Sequence, residues 1–367
     1  MISFVWEPGV PLPAGTGGSE NYTVGHVREL TRRGTAAEVV TIGLGTADGR
    51  DGFPGVPFRS LPAVADVATL SGTVVFVTEF PAITTKGRTF QLLHVPPPLR
   101  EADRRRMFVQ TRNRSLIATS RFAAGLWAAF LDVDIATIAV VYPFAEPCFG
   151  TQPRPASDPE AARILYAGRL SPEKGIYTLL AMLHSDLIAA DVPLTFTVTT
   201  AGSDKPQGGI IRDLLAVHPG IRLVPARKSP AAMAALMAEH DIVVMPSNSQ
   251  YWHETFGIVS IEAQHVGCRV VASDDGGLPE TDCGALTLVV PDHAEALAEG
   301  IREALANGPF GGRALAATRF TVQQSVDSLL AVLRGPRSTT PAEIEAELEA
   351  IAQLDTTSPS RPNRAAV

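Results

Sequence analysis

Two carboxylates, Glu254 and Glu262, stand eight residues apart in the run His253-Glu254-Thr255-Phe256-Gly257-Ile258-Val259-Ser260-Ile261-Glu262. If a loop runs into a helix here, the pair is separated by at most roughly 12 Å at a rise of 1.5 Å per residue, with the unpaired amides of the helix start between them. Such amides favour an anion, and Gly257 lets a ligand come close to the backbone. One carboxylate would take hydroxyls of a sugar and the other those of a ribose, a layout that suits a sugar nucleotide. Read alone, the pair is equally a charge at a helix N-terminus and a solvated residue on a helix face.

A second segment, Ile164-Leu165-Tyr166-Ala167-Gly168-Arg169-Leu170-Ser171-Pro172-Glu173-Lys174-Gly175, reads as a strand, a loop with two cations and a helix start. Arg169 and Lys174 beside that helix start suit a diphosphate. Lysine is scarce in the chain, occurring only as Lys86, Lys174, Lys205 and Lys228 among 31 Lys plus Arg. An isolated lysine in this loop therefore reads as more than surface filler.

These segments need rigid elements to position them. The 367 residues correspond to two domains at roughly 100–200 residues each, and a composition 45% hydrophobic and 19% charged supplies a sizeable core. Apolar runs such as Ile135 to Val141 are strand-sized, far short of the ~20 residues of a membrane span. The start, Met1-Ile2-Ser3-Phe4-Val5-Trp6, reads as a first strand and not a signal peptide, so the expected location is the cytoplasm. Cys148, Cys268 and Cys283 form an odd set with no CxxC pair, against a disulfide framework or zinc site. A net charge of -7 disfavours nonspecific nucleic-acid binding and requires any anionic ligand to find a locally basic pocket, which Arg169 and Lys174 provide.

Twelve strand candidates alternate with helical patterns at 20–33, 122–131, 176–189, 231–239, 257–266, 294–305 and 322–333. Apolar strands alternating with helices imply parallel sheets covered on both faces, an α/β architecture. Between Pro143 and Pro159 the chain turns rich in Pro, Ser and polar residues, as a linker between two doubly wound domains would. The expected division is 1–150 for an acceptor-side domain, 151–320 for a donor domain, 321–334 for a helix crossing back to the first domain, and 335–367 for a polar, mobile tail holding a short acidic helix candidate at 342–351. Two such sheets facing each other would bind substrates in the cleft between them.

Together the motifs resemble the retaining glycosyltransferases of the GT-B fold, family 4. The resemblance rests on Gly-Arg-Leu-x-x-Glu-Lys-Gly at Gly168–Gly175, Pro246-Ser247, the Glu-x7-Glu pair Glu254 and Glu262, and Gly276-Gly277-Leu278-Pro279-Glu280. In the first half it is carried by Gly17-Gly18-Ser19-Glu20 opening a helix and by His94 ending a strand ahead of another that closes on Ser120. It implies two Rossmann-like domains facing a cleft, and a nucleoside diphosphate sugar as donor, with no metal or other cofactor. It also implies roles. Arg169 and Lys174 would bind the donor diphosphate, with the amides near Gly257 and Ile258 and with Gly17 and Gly18 on closure. Glu254, with the backbone of Thr255, Phe256 and Gly257, would hold the transferred sugar. Glu262 would take the ribose hydroxyls, and His94 would sit near the anomeric carbon. Arg227 and Lys228 lie where the family binds the base. The leaving phosphate would help deprotonate a small-molecule or glycan acceptor on the same face, retaining configuration.

Other signals carry less. Asp132-Val133-Asp134 reads as the DxD of metal-dependent transferases, but it falls in a turn between a helix and a strand, so surface carboxylates are expected. Gly15-Thr16-Gly17-Gly18-Ser19-Glu20 falls short of a dinucleotide loop, because its third position is Glu20. The arginines at 100, 104, 105, 106, 112 and 114 suit a basic helix at an acidic lipid surface or a solvated face diluted by Glu101 and Asp103. Where many relatives have Asn-Gly-Val-Asp this chain has Pro143-Phe144-Ala145-Glu146-Pro147. The loop Gln250-Tyr251-Trp252-His253 is longer and more aromatic than usual, suiting either specificity or packing. The same fold and donor site would serve a nucleotide-sugar epimerase, hydrolase or phosphorylase, or a non-catalytic nucleotide-sugar binder.

Overall fold

The computed structural model describes residues 1–13, 17–98, 100–156, 158, 160–185, 187, 193–250 and 252–335. The tail from 336, with its helix candidate, and Gly15, Thr16 and Tyr251 of the motifs above lie outside the described residues. So does the end of the helix expected at 176–189.

The first half contains β1 (Ile2–Val5), α1 (Gly18–Arg32), β2 (Ala37–Ile42), β3 (Phe58–Leu61), β4 (Thr73–Phe76), β5 (Thr89–Leu93), α2 (Glu101–Thr111), β6 (Ser115–Ala118), α3 (Arg121–Leu131) and β7 (Ile138–Val140). A short helix, α4 (Pro147–Thr151), leads into the second half. There follow β8 (Ala162–Tyr166), α5 (Ile176–His184), β9 (Leu194–Thr199), α6 (Pro206–Ala216), β10 (Ile221–Val224), α7 (Pro230–Ala238), β11 (Ile242–Met245), α8 (Ile258–Val266), β12 (Arg269–Ser273), β13 (Leu286–Val289), α9 (Ala294–Ala306), α10 (Arg313–Ala316) and α11 (Val322–Arg334). Seven strands pair in the order β3-β2-β1-β4-β5-β6-β7 and six in the order β10-β9-β8-β11-β12-β13, parallel throughout. The inner strands are buried on both faces, as continuous apolar runs such as Ile242-Val243-Val244 require.

Strand order decides where a ligand can bind. It reverses at β1/β4 in the first sheet and at β8/β11 in the second, and the crevice of an open α/β sheet lies at the carboxyl ends of the strands flanking that reversal. β8 and β11 run side by side, Ile164 against Ile242 and Tyr166 against Val244. Arg169–Lys174 and Ser247–Glu254, remote in sequence, follow these two strands and therefore share one crevice.

The halves are joined twice. Residues 141–146 carry the chain out of the first sheet, and α4 packs against α7 and α8. The return is at Phe320–Thr321, where the Ala145 amide donates to the Phe320 carbonyl at 3.0 Å. α11 then lies on α1, burying Val322, Val326, Leu329 and Leu333 in the first domain's core with Val27 and Leu30. Their i, i+4, i+7, i+11 spacing puts one stripe against that core, at roughly 1.5–3 kcal/mol per side chain removed from water.

Not all six arginines expected on a basic face are there. Arg114 is buried, donates to the Phe80 carbonyl and to Gln91 Oε1, and lies 3.8 Å from the Phe76 ring centroid. Burial lowers its pKa to about 9. Arg106 pairs with Glu79 at 2.8 Å and Asp103 at 2.9 Å. Asp132 ends α3 in a left-handed conformation, and the Asp134 carboxylate caps the short turn Ile135–Thr137 by accepting from the Ala136 amide at 2.9 Å.

Candidate active site

The second-domain crevice is built by two loops pressed together. After β8 the chain makes a single 3-10 turn, Pro172–Lys174, and enters α5 through Gly175 at φ 68°. A Cβ on Gly175 would lie 1.5 Å from the Pro246 carbonyl oxygen, so only glycine permits this approach of the β8 loop to the β11 loop. The Asn248 amide donates to the Glu173 carbonyl at 3.0 Å, and the Tyr166 hydroxyl, fully buried, donates to the Arg169 carbonyl at 2.8 Å.

At this junction Lys174 Nζ donates to Glu254 Oε1 in a close ion pair, and Ser247 Oγ donates to the same oxygen at 3.1 Å. Burial opposes ionisation of Glu254, but Lys174 by charge and hydrogen bond, Ser247, and the charge of Arg169 outweigh it and hold the carboxyl below its ordinary value. The Arg169 guanidinium is 60% exposed and 3.4 Å from Glu173, open to a ligand in the cleft. α8 starts at Gly257, whose φ of 98° sets the turn that aims the helix N-terminus into the crevice. The amides of Gly257 and Ile258 stand at that end. The Phe256 ring packs in the core against Tyr142 and Phe320, which leaves only its backbone for a ligand.

The first domain meets this crevice directly. Thr255 Oγ1 donates to the His94 carbonyl at 2.7 Å, and Ser120, which caps α3, donates to the Thr255 carbonyl. His94, just past β5, sets its ring edge-on to Tyr22 at 4.9 Å. Burial, and to a lesser degree His26, lower its pKa to about 3, so the imidazole is neutral; its Nε2 and the Tyr22 hydroxyl are buried without hydrogen-bond partners among the described residues. Gly17 caps α1 and, with Gly18, is exposed. Glu20 in the first turn of α1 is raised by burial and feels the Arg169 charge, so this end of α1 faces the cation loop.

Glu262 stands apart from that cluster. It is 4% exposed in the second turn of α8, with no hydrogen-bond partner among the described residues. Burial and the neighbouring Glu146 raise its pKa to about 8. Glu146 is itself raised by burial, opposed by Arg28. Glu146 lies in Pro143-Phe144-Ala145-Glu146-Pro147, the segment that departs from the Asn-Gly-Val-Asp the family resemblance leads one to expect, and that departure is the signal that points to it. Arg227 and Lys228 follow β10, the edge strand separated from β8 by β9. His253 donates to Asp275 at 2.8 Å and packs edge-on to Phe122 of α3, while Trp252 is 42% exposed.

A residue with no assigned role completes the domain contact. Glu280 accepts from the Arg121 amide at 3.0 Å, the Phe122 amide at 2.8 Å and the Tyr142 hydroxyl at 2.7 Å. It thus caps α3 of the first domain from the second.

Residues 161–307 match the family described as Glycosyl transferases group 1. Over 195 residues the chain is 31% identical to a D-inositol 3-phosphate glycosyltransferase of Segniliparus rotundus, covering 50% of this chain and 42% of that protein. The chain spans about half the length of the curated relatives it matches. A glycosyltransferase structure from Rickettsia africae superposes with a TM-score of 0.72 at 16% identity, covering 91% of this chain and 97% of that one. Anabaena HepE in complex with UDP-glucose superposes with a TM-score of 0.69 at 18% identity, covering 91% and 99%. Among the described residues, no helix is long and apolar enough to cross a membrane.

Proposed function

We propose that this chain, which has the GT-B fold and matches the group 1 glycosyltransferase family over residues 161–307, is a retaining glycosyltransferase. It moves a hexose-type sugar from a nucleoside diphosphate sugar to a hydroxyl of a small-molecule or glycan acceptor. The observation that carries this reading is the Lys174–Glu254–Ser247 cluster at the β8/β11 switch point, beside the start of α8.

In this reading the incoming diphosphate takes the exposed Arg169 guanidinium, displacing its 3.4 Å contact with Glu173, and competes for Lys174, which turns the Glu254 carboxylate toward the sugar hydroxyls. The two cations and the amides at Gly257 and Ile258 stabilise charge developing on the departing diphosphate, where fixed donors are most effective. The leaving phosphate oxygen accepts the proton of the acceptor hydroxyl on the same face, so configuration is retained and no metal is required. The neutral His94 imidazole is a hydrogen-bond partner near the reacting carbon. Glu262, protonated at neutral pH, both donates to and accepts from the ribose hydroxyls. Gly17 and Gly18 meet the phosphates when the cleft closes, and Arg227 and Lys228 flank the base.

A thermal-shift panel of UDP, GDP, ADP and TDP sugars tests the donor site, with UDP first because the HepE structure holds UDP-glucose. A ligand at 100 times its Kd stabilises by about 2.7 kcal/mol; no shift with any of the four overturns the assignment. Incubation of the responding donor with D-inositol 3-phosphate and free sugars, followed by NMR of the anomeric proton, tests transfer and retention.

A further inference from the structure

Both interdomain crossings line a second cavity of ≈ 390 Å³ that contains none of Arg169, Lys174, Glu254 or His94. Arg121 at the start of α3 and Arg319 just before the return crossing contribute to it, with Tyr142, Glu280, Phe320 and Ser328. Glu280 is the single acid in the lining, and three donors already occupy its oxygens. Neither guanidinium has a carboxylate partner among the described residues. The lining therefore carries two cations with no carboxylate partner among the described residues, Arg319 lying 5.7 Å from the Phe320 ring centroid, against one satisfied carboxylate, a local excess of positive charge on a chain of net charge -7.

We infer that this hinge cavity binds a small phosphomonoester with a sugar-sized polyol body. A phosphate dianion matches two guanidinium forks, which pair with it in bidentate fashion. The Phe320 and Tyr142 rings, 5.6 Å apart and edge to face, offer an apolar wall to a sugar ring, and the exposed Ser328 hydroxyl faces its polar rim. The volume falls within the range of small-molecule sites. The lining comes from α3, from the outward crossing at Tyr142, from the Glu280 turn of the second domain and from the return at Phe320 and α11. An occupant thus touches both domains at their hinge, and its binding is linked to the domain angle, each affecting the other by the same factor.

Isothermal titration of the full chain with ribose 5-phosphate, with ribose as the uncharged control, tests the inference without reference to sugar transfer. The expected result is one site for ribose 5-phosphate and none for ribose, with Kd raised at least tenfold by Arg121→Gln and by Arg319→Gln. Both arginines are exposed, and Ser328→Phe, also at an exposed position, fills the cavity mouth and is expected to abolish binding. Lys174→Ala leaves the affinity within about threefold. Binding that survives both arginine substitutions or Ser328→Phe, binding lost in Lys174→Ala, or no binding at 10 mM probe, an order-of-magnitude limit of about -3 kcal/mol, overturns the proposal.

Discussion

The Lys174–Glu254 pair joins the two crevice loops, and its energetics follow from partial burial. Lys174→Met leaves the Glu254 carboxylate with Ser247 as its nearest donor, at a cost of about 1–3 kcal/mol for an under-satisfied buried group. Urea unfolding should record that loss, and Lys174→Met with Glu254→Gln should recover much of it. Equal losses in the single and double variants would mean that the stranded Glu254 charge is not what lowers stability. Titration supplies a second test. Glu262 is raised from 4.5 to about 8 in the fold, so below pH 4.5 it is neutral in both states and costs nothing. As pH rises toward 8 the unfolded state alone ionises, and stability is lost. His94 acts in the opposite sense: its folded pKa of about 3 against 6.5 means stability is intact above pH 6.5 and lost as pH falls. Glu262→Gln should therefore flatten the loss of urea midpoint as pH rises from 5 to 8 and leave the decline below pH 4.5, where Glu262 is neutral in both states, as in the parent. A parental slope in that variant would mean that Glu262 is ionised in the fold.

Elements position these groups through two loops that only short residues allow to meet. Gly175→Ala requires a left-handed residue with a Cβ on top of the Pro246 carbonyl. The backbone conformation alone costs about 1–2 kcal/mol for a non-glycine residue. The substitution should lower the urea midpoint with an unchanged m-value and weaken binding of the proposed nucleotide-sugar donor, because the Pro246 shift displaces Ser247 and Glu254. Elements with strong periodicity were legible from the sequence: α1, α3, α9 and α11 lie close to the expected spans. The missed ones had weak signals for physical reasons. β3 is a four-residue edge strand whose Arg59 is exposed. α2 is rich in arginine with little segregation of apolar residues. α6 begins Pro206-Gln207-Gly208-Gly209, residues that read as a turn, and forms because Ile211 and Leu215 bury against the second sheet.

At the scale of the whole molecule, the last helix belongs to the first domain's core although it follows the second domain in sequence. Leu329→Ala, by truncating a fully buried side chain in that core, should cost about 2–5 kcal/mol. Hydrogen exchange should locate the loosening in β1, β2 and α1 and not in the second sheet; loosening confined to the second sheet would refute the shared core. The cation loop, the Glu-x7-Glu pair and the glycine at each helix start are local in sequence, so the segments that meet at the β8/β11 crevice and the α/β class could be read directly. Other features are settled only by contacts between residues far apart in the chain. Thr255 reaches the His94 carbonyl across 161 positions and Tyr142 reaches Glu280 across 138. Glu146 lies beside Glu262 and raises its pKa. Strand order brings the two cleft loops together, and burial decides which charges are paired and which proton stays bound; neither leaves a pattern in local sequence, because each depends on what the fold sets beside a residue.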